Sequence, residues 1–208
     1  FRHIPVILTN DANAAALGEL VYGGGQDMTN FVAVTLGTGL GSGLILGKEL
    51  YYGNDGFAGE LGHIIVEKHG RKCGCGRRGC LETYVSAQGI KRTVFELLGD
   101  ENEESELRSI PFERMTAKDV TDHAIQGDKI ALKAFEITGE YFGRALADTV
   151  AILNPEAIFL FGGLINAGDL LFKPMQKHFD NNTLEIFKNT AKIIPSALQV
   201  QGKNIATL

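Results

Sequence analysis

Cysteine is scarce in this sequence, with three in 208 residues, an odd number. Nothing in the chain resembles a signal peptide, so a disulfide framework of the secreted type is not expected. Basic residues are in deficit: 20 Lys and Arg stand against 25 Asp and Glu, a net charge of −5. That balance does not suit phosphate-backbone binding, and no nucleic acid is expected on this segment. A long apolar run is missing too. Phe31 to Gly47 is uncharged but Gly-rich, and it falls short of the roughly 20 residues a membrane helix needs. No internal repeat or low-complexity linker interrupts the chain. These absences predict a soluble, cytoplasmic protein with no membrane partner. At 44% hydrophobic and 22% charged content, the chain can bury a substantial core as one domain or as one lobe of a larger protein.

What is present is concentrated. All the cysteines fall in Cys73-Gly74-Cys75-Gly76-Arg77-Arg78-Gly79-Cys80, and His63 lies ten positions before the first. Three thiolates and one imidazole make a closed tetrahedral set for a structural Zn²⁺. Glycines at 74, 76 and 79 let a short backbone bring near-adjacent sulfurs onto one ion. Arg71, Lys72, Arg77 and Arg78 are expected to offset the negative charge that three thiolates leave on a dication. The spacing is unusual, since a single residue separates Cys73 from Cys75 where zinc pairs are commonly two to four apart. The alternative is three buried or reactive thiols in a Gly-rich loop.

Periodicity divides the rest into short strands and helices. Ile4 to Thr9 reads as a buried strand, and Ala12 to Val21 as a helix ended by Gly23-Gly24-Gly25. Asn30 to Leu36, Leu40 to Leu46 and a third strand from Leu50 to Tyr52 form an antiparallel meander. A helical pattern runs from Glu82 to Leu98. Thr116 caps a helix to Ile125, and Asp128 caps a long one to Leu153 that Asn154-Pro155 stops. Ala131, Leu132, Phe135, Tyr141, Phe142, Leu146 and Val150 make up much of its apolar face. Ala157 to Phe161 is a buried strand, Gly162-Gly163 a tight turn, Leu170 to Phe187 mostly helix, and Ala191 to Leu198 a last strand. This order is α/β and resembles the C-terminal lobe of the actin-like (ribonuclease H-like) ATPase architecture, with a helical insertion and a zinc loop.

Several residues read two ways. Asp11 sits where a strand ends and a helix begins, the place where open α/β sheets hold ligands, and the same position suits a plain N-cap. Gly37-Thr38-Gly39-Leu40-Gly41 lacks the Lys-Ser/Thr ending of a Walker loop and the following helix of a Rossmann fingerprint. Its backbone N–H groups and the Thr38 hydroxyl suit an anion, or its glycines serve a bare hairpin turn. Taken singly, His63 reads as a satisfied core histidine and Glu60 as a solvated loop acid.

Four segments in this order resemble the ROK family (repressor, open reading frame, kinase): Asn10-Asp11-Ala12-Asn13-Ala14-Ala15-Ala16, Gly37-Thr38-Gly39-Leu40-Gly41, Gly59-Glu60-Leu61-Gly62-His63, and the cysteine segment through Leu81-Glu82. The kinase members are bacterial sugar kinases, chiefly glucokinases and N-acetylhexosamine kinases. The resemblance covers nearly the whole chain and implies ATP-dependent phosphorylation of a hexose at its 6-hydroxyl, with Mg²⁺ on the ATP and Zn²⁺ as a structural ion. Asp11 would be the general base and Asn10 would bind a neighbouring hydroxyl. Glu60, His63 and Glu82 would bind sugar hydroxyls. His63 would place one ring nitrogen on the zinc with Cys73, Cys75 and Cys80, and turn the other to the sugar. Gly37, Thr38, Gly39 and Gly41 would hold ATP phosphates, and Gly162 and Gly163 would lie near the nucleoside. The alternative within the family is the sugar-sensing domain of a repressor. The full-length protein is expected to be a homodimer or homotetramer. The Asp-x-Gly-Gly-Thr loop that opens these kinases does not occur in this sequence. Residues 1–208 therefore read as a C-terminal lobe truncated at both ends, with residues 1–25 joining an N-terminal lobe and 59–82 forming the sugar- and zinc-binding segment. Such a fragment is expected to be inactive alone.

Overall fold

The centre of the fold is strand β1 (Phe31–Leu36), a run of apolar and β-branched residues buried on both faces. In the computed structural model, which describes residues 8–200 and 203–204, it lies third in a five-stranded sheet. Of the strand expected over Ile4 to Thr9, residues 4–7 lie outside the described residues, and Leu8 and Thr9 are not in a strand. The other members are β2 (Leu40–Leu46), β3 (Glu49–Leu50), β4 (Ala157–Phe161) and β5 (Lys192–Pro195), in the order β3-β2-β1-β4-β5. The first three pair antiparallel, with Leu36 opposite Leu40. β4 pairs parallel with both β1 and β5, so the sheet is mixed. Gln199–Val200 and Lys203–Asn204 pair antiparallel as a separate two-stranded ribbon.

Alternation along a strand sends successive side chains to opposite faces. Phe31 and Ala33 face α1 (Asp11–Tyr22), whose Ala15 and Ala16 complete a small core with Ile45, Phe159 and Phe161. Phe31 and Phe159 meet edge to face at 5.2 Å. Val32, Val34 and Leu36 face the larger core, built from α2 (Ala87–Asp100), α3 (Ala117–Ile125), α4 (Lys129–Leu153) and α5 (Asp169–Asn182). Ala131, Phe135, Phe142, Leu146 and Val150 of α4 are buried as their spacing predicts. Leu132 is not, at 40% exposed, because one step from Ala131 turns a side chain about 100° around the helix.

The helix ends follow local chemistry. Asn10, Ser86, Thr116 and Asp128 each accept an N–H from the residue three positions on, satisfying one of the donors a helix start leaves open. Thr116 and Asp119 form a full capping box, and Asn154 ends α4 in the left-handed region at φ 44°. α5 stops earlier than expected: Asn182 is its last residue, and Glu185–Phe187 is a separate 3-10 turn. Asn181, Asn182 and Thr183 are weak helix formers. Among the described residues no helix is long and apolar enough to cross a membrane.

Candidate functional site

Parallel pairing of β1 with β4 sets Thr35 opposite Phe161, so the turns that follow, at Gly37 and Gly162, open on one edge of the sheet. Asn10 caps α1 by accepting the Asn13 N–H at 2.7 Å. That makes Asp11 the first helical residue rather than the cap. Asp11, Thr35, Gly37, Thr38, Gly39, Gly41, Glu82 and Gly162 line one cleft of about 400 Å³. The β1–β2 turn is anchored from behind, since Gly37 O accepts the Ala87 N–H that opens α2, at 2.9 Å. Gly39 and Gly162 are both crowded, but only Gly162 excludes every other residue, since its neighbour is backbone. A Cβ on Gly39 would stand 2.7 Å from Glu82 Oε2, and Gly162, at φ 103°, would bring a Cβ to 2.2 Å from Leu36 O. Gly163 lines a neighbouring hollow of about 480 Å³ with Gly37, Ala117, Lys118, Thr121 and Ile125. Gly37 is thus a wall shared by two spaces.

Glu60 and His63 reach this cleft indirectly. Ser42 on β2 donates to Gly59 O and accepts the Leu61 N–H at 3.3 Å, which clasps their loop to the sheet. His63 Nε2 lies 3.9 Å from Glu60 Oε2, and Nδ1 lies 3.6 Å from Glu82 Oε1. Glu60, His63 and Glu82 therefore form a row, and Glu82 is the member that lines the cleft. Asn10, Glu60 and His63 are not among the cleft's lining residues.

The cysteine segment folds back on itself as a miniature hairpin, with bridges between Lys72 and Arg78 and between Ile65 and Cys80. Gly76 and Gly79 take positive φ, 89° and 76°, while Gly74 does not. The hairpin brings the ligand atoms of His63, Cys73, Cys75 and Cys80 within 4.8 Å of one another. Cys75 and Cys80 sulfurs are 3.6 Å apart, and Cys73 Sγ is 3.7 Å from His63 Nδ1. Two thiolates at 2.3 Å from a tetrahedral ion lie about 3.8 Å apart, so this donor set fits such an ion. The thiols differ in character. The backbone N–H of Arg77, then its guanidinium, lowers exposed Cys75 to about 6. Burial pushes Cys73 up to about 12, and its thiol donates to Glu82 Oε1 at 3.0 Å. Burial also raises Cys80.

One expectation about charge is overturned. Arg71 does not offset the sulfurs: its side chain is buried and points away, to Glu96, Thr93 and the carbonyls of Thr83 and Gly89. The Leu81–Thr83 turn and successive turns of α2 present acceptors matched to its fork, and the Tyr84 ring lies 4.3 Å beneath it. Arg77 is the cation that faces the thiols, and it also donates to His63 O. Thr35 and Ser42 were not singled out from the sequence. Each is a hydroxyl residue in a strand of Gly and apolar residues, which is the signal that points to them.

Comparison with known proteins places these features. The ROK family model matches residues 2–204. The chain is 42% identical over 181 residues to a glucokinase of Halalkalibacterium halodurans, covering 85% of this chain and 54% of that one. It is 30% identical over 206 residues to the xylose repressor of Bacillus spizizenii, covering 99% and 49%. The ROK family glucokinase from Streptomyces griseus, solved in complex with glucose and AMPPNP, superposes with a TM-score of 0.84 at 32% identity, covering 99% of this chain and 66% of that one. The chain spans about half the length of the curated relatives it matches. Its mixed α/β sheet and flanking helices are those of the actin-like ATPase fold, and the chain belongs to the ROK family.

Proposed function

We propose that this chain is the C-terminal lobe of a cytoplasmic, ATP-dependent hexose kinase that phosphorylates the sugar 6-hydroxyl, glucose being the first sugar to test. The observation that carries this reading is the single cleft in which Asp11, the Gly37–Gly41 turn, Glu82 and Gly162 meet. Asp11 accepts the proton of the attacking hydroxyl; with Asn10 holding the helix cap, its carboxylate is left to face the cleft. The Asn10 side-chain NH₂ donates to a neighbouring sugar hydroxyl. Glu82, with His63 and Glu60 behind it, accepts hydroxyl protons and orients the ring. Phosphoryl transfer depends chiefly on positioning and electrostatics. Gly37, Thr38, Gly39 and Gly41 offer backbone N–H groups and a hydroxyl to the ATP phosphates, and the hollow beside Gly163 takes the nucleoside. ATP, as its Mg²⁺ complex, supplies the phosphoryl group.

His63, Cys73, Cys75 and Cys80 would hold a structural Zn²⁺, which fixes the tautomer and orientation of His63 and keeps the hairpin folded. Residues 1–25 lead in from an N-terminal lobe that supplies further phosphate contacts, and the active assembly is a homodimer or homotetramer. The 30% identity to a xylose repressor supports a second reading, a sugar-sensing domain of a ROK repressor. Asp11→Asn in the full-length protein separates them. As a kinase base, its loss lowers kcat by roughly 10²- to 10⁴-fold with glucose affinity within a few-fold. Unchanged turnover removes Asp11 as base. A wild-type protein that phosphorylates no hexose yet releases operator DNA on binding sugar establishes the repressor instead.

A further inference from the structure

We infer that Arg71 is a positioning residue for the sugar site, setting the carboxylate of Glu82 by clamping the short turn that carries it; this rests on the reading of Glu82 as a sugar-binding group. The turn Leu81–Thr83 is one 3-10 turn with Glu82 at its middle. Its N-terminal side is tied to the hairpin through Cys80 and through the Leu81 N–H, which donates to Ile64 O at 3.0 Å. Its C-terminal side is held by Arg71, whose Nη1 donates to Thr83 O at 2.6 Å and to Gly89 O at 3.1 Å. Nη2 donates to Thr93 Oγ1 at 2.8 Å and to Glu96 Oε2 at 2.5 Å, and Nε donates to Glu96 Oε1 at 2.8 Å.

A guanidinium carries five N–H donors in one plane, and each of the five has a partner here. None is left for a substrate or a thiolate. The backbone is fixed as well: the Arg71 N–H donates to Tyr84 Oη at 3.0 Å, and Arg71 O accepts the Gly79 N–H at 2.8 Å. Arg71 thus touches the hairpin two residues before Cys73, the residue after Glu82, and the first turn of α2. A salt bridge to the half-exposed Glu96 contributes little by itself. The buried carbonyl of Thr83 is what the fork chiefly secures, because losing it leaves that oxygen short of a donor, whereas Gly89 O also accepts the Thr93 hydroxyl at 3.1 Å. A lysine ammonium is a point charge and cannot reproduce a planar fork.

The test uses the full-length protein with Arg71→Lys, Glu82→Gln and the double variant, measuring bound zinc per chain, thermal midpoint, and KM for glucose and for ATP. Arg71→Lys is expected to keep its zinc and its KM for ATP while KM for glucose rises roughly tenfold, the size of effect a displaced positioning group produces. In the Glu82→Gln background the same change adds no further loss, because Arg71 acts through Glu82. Unchanged KM for glucose in folded, zinc-loaded Arg71→Lys overturns the inference alone. So does loss of zinc in that variant, since the residue would then act through the hairpin's folding. Unchanged KM for glucose in Glu82→Gln overturns the sugar reading itself, and the inference with it. Should Arg71→Lys fail to fold, Glu96→Gln loosens the fork from its exposed side: a two- to threefold rise in KM for glucose supports the inference, and no rise overturns it.

Discussion

Glu82 Oε2 lies so close to Gly39 that the two positions act as one contact: any side chain at 39 must displace the carboxylate. Gly39 has no positive φ, so alanine is tolerated there by the backbone and the clash is with Glu82 alone. Gly39→Ala is therefore expected to raise KM for glucose roughly tenfold while leaving the thermal midpoint nearly unchanged. Steady-state kinetics and a thermal melt on the full-length protein check it, and a normal KM would place Glu82 away from the sugar. The division of labour between Asn10 and Asp11 belongs to the same scale. Either residue type can cap a helix; here Asn10 accepts the Asn13 N–H, and Asp11 lines the cleft with its Oδ1 accepting the adjacent Ala12 N–H at 2.9 Å.

The hairpin carrying the cysteines is an element that brings sulfurs near in sequence close together in space. Cys75→Ser removes the sulfur whose thiol is lowered to about 6 beside Arg77. It is expected to lose zinc by elemental analysis and to weaken glucose binding by calorimetry, because His63 would lose its fixed orientation. Full metal content in that variant would refute the ligand set. A second element-scale device ties the entrances of β1 and β4 together: Glu156 accepts the N–H groups of Thr29 at 2.6 Å and Asn30 at 3.0 Å. These bonds, that of Asn30 first, hold its carboxyl below the ordinary value. A carboxyl with a depressed folded pKa stabilises the fold above its unfolded value, about 4.3, and that contribution fades as pH falls through the depressed one. Glu156→Gln should therefore lower the thermal midpoint slightly at pH 7, with the gap closing below pH ~4. The group is exposed, so the effect is small; a gap that widens in acid would contradict the account.

At the scale of the whole molecule, α4 is the spine of the larger core. Leu146 is fully buried in that core, so Leu146→Ala should cost about 2–5 kcal/mol. Chemical denaturation measures this directly, and a change under ~1 kcal/mol would mean the core closes over the gap. The same variant is expected to keep its KM values where it remains folded, because the cleft sits on the turns at the sheet edge. Core and site are separable here: one is held by apolar volume, the other by close approach of backbone turns.

Much of this protein follows from local sequence. Helix starts at Thr116 and Asp128 are written in single capping residues, strands β1, β2 and β4 in short apolar runs, and the hairpin in cysteine spacing with glycine between, whereas the caps at Asn10 and Ser86 emerge only in the folded chain. These features depend on near neighbours along the chain, which a pattern can record. Tertiary structure alone decided what depends on distance across the chain. The parallel register of β1 with β4 brings Gly37 beside Gly162, the hairpin delivers Glu82 to Gly39, and α2 with the turn before it draws Arg71 away from the sulfurs. Charge and spacing placed Arg71 beside the thiolates. The acceptors that claimed its fork, Thr83, Gly89, Thr93 and Glu96, lie 12 to 25 residues away in sequence, where only folding brings them within bonding distance.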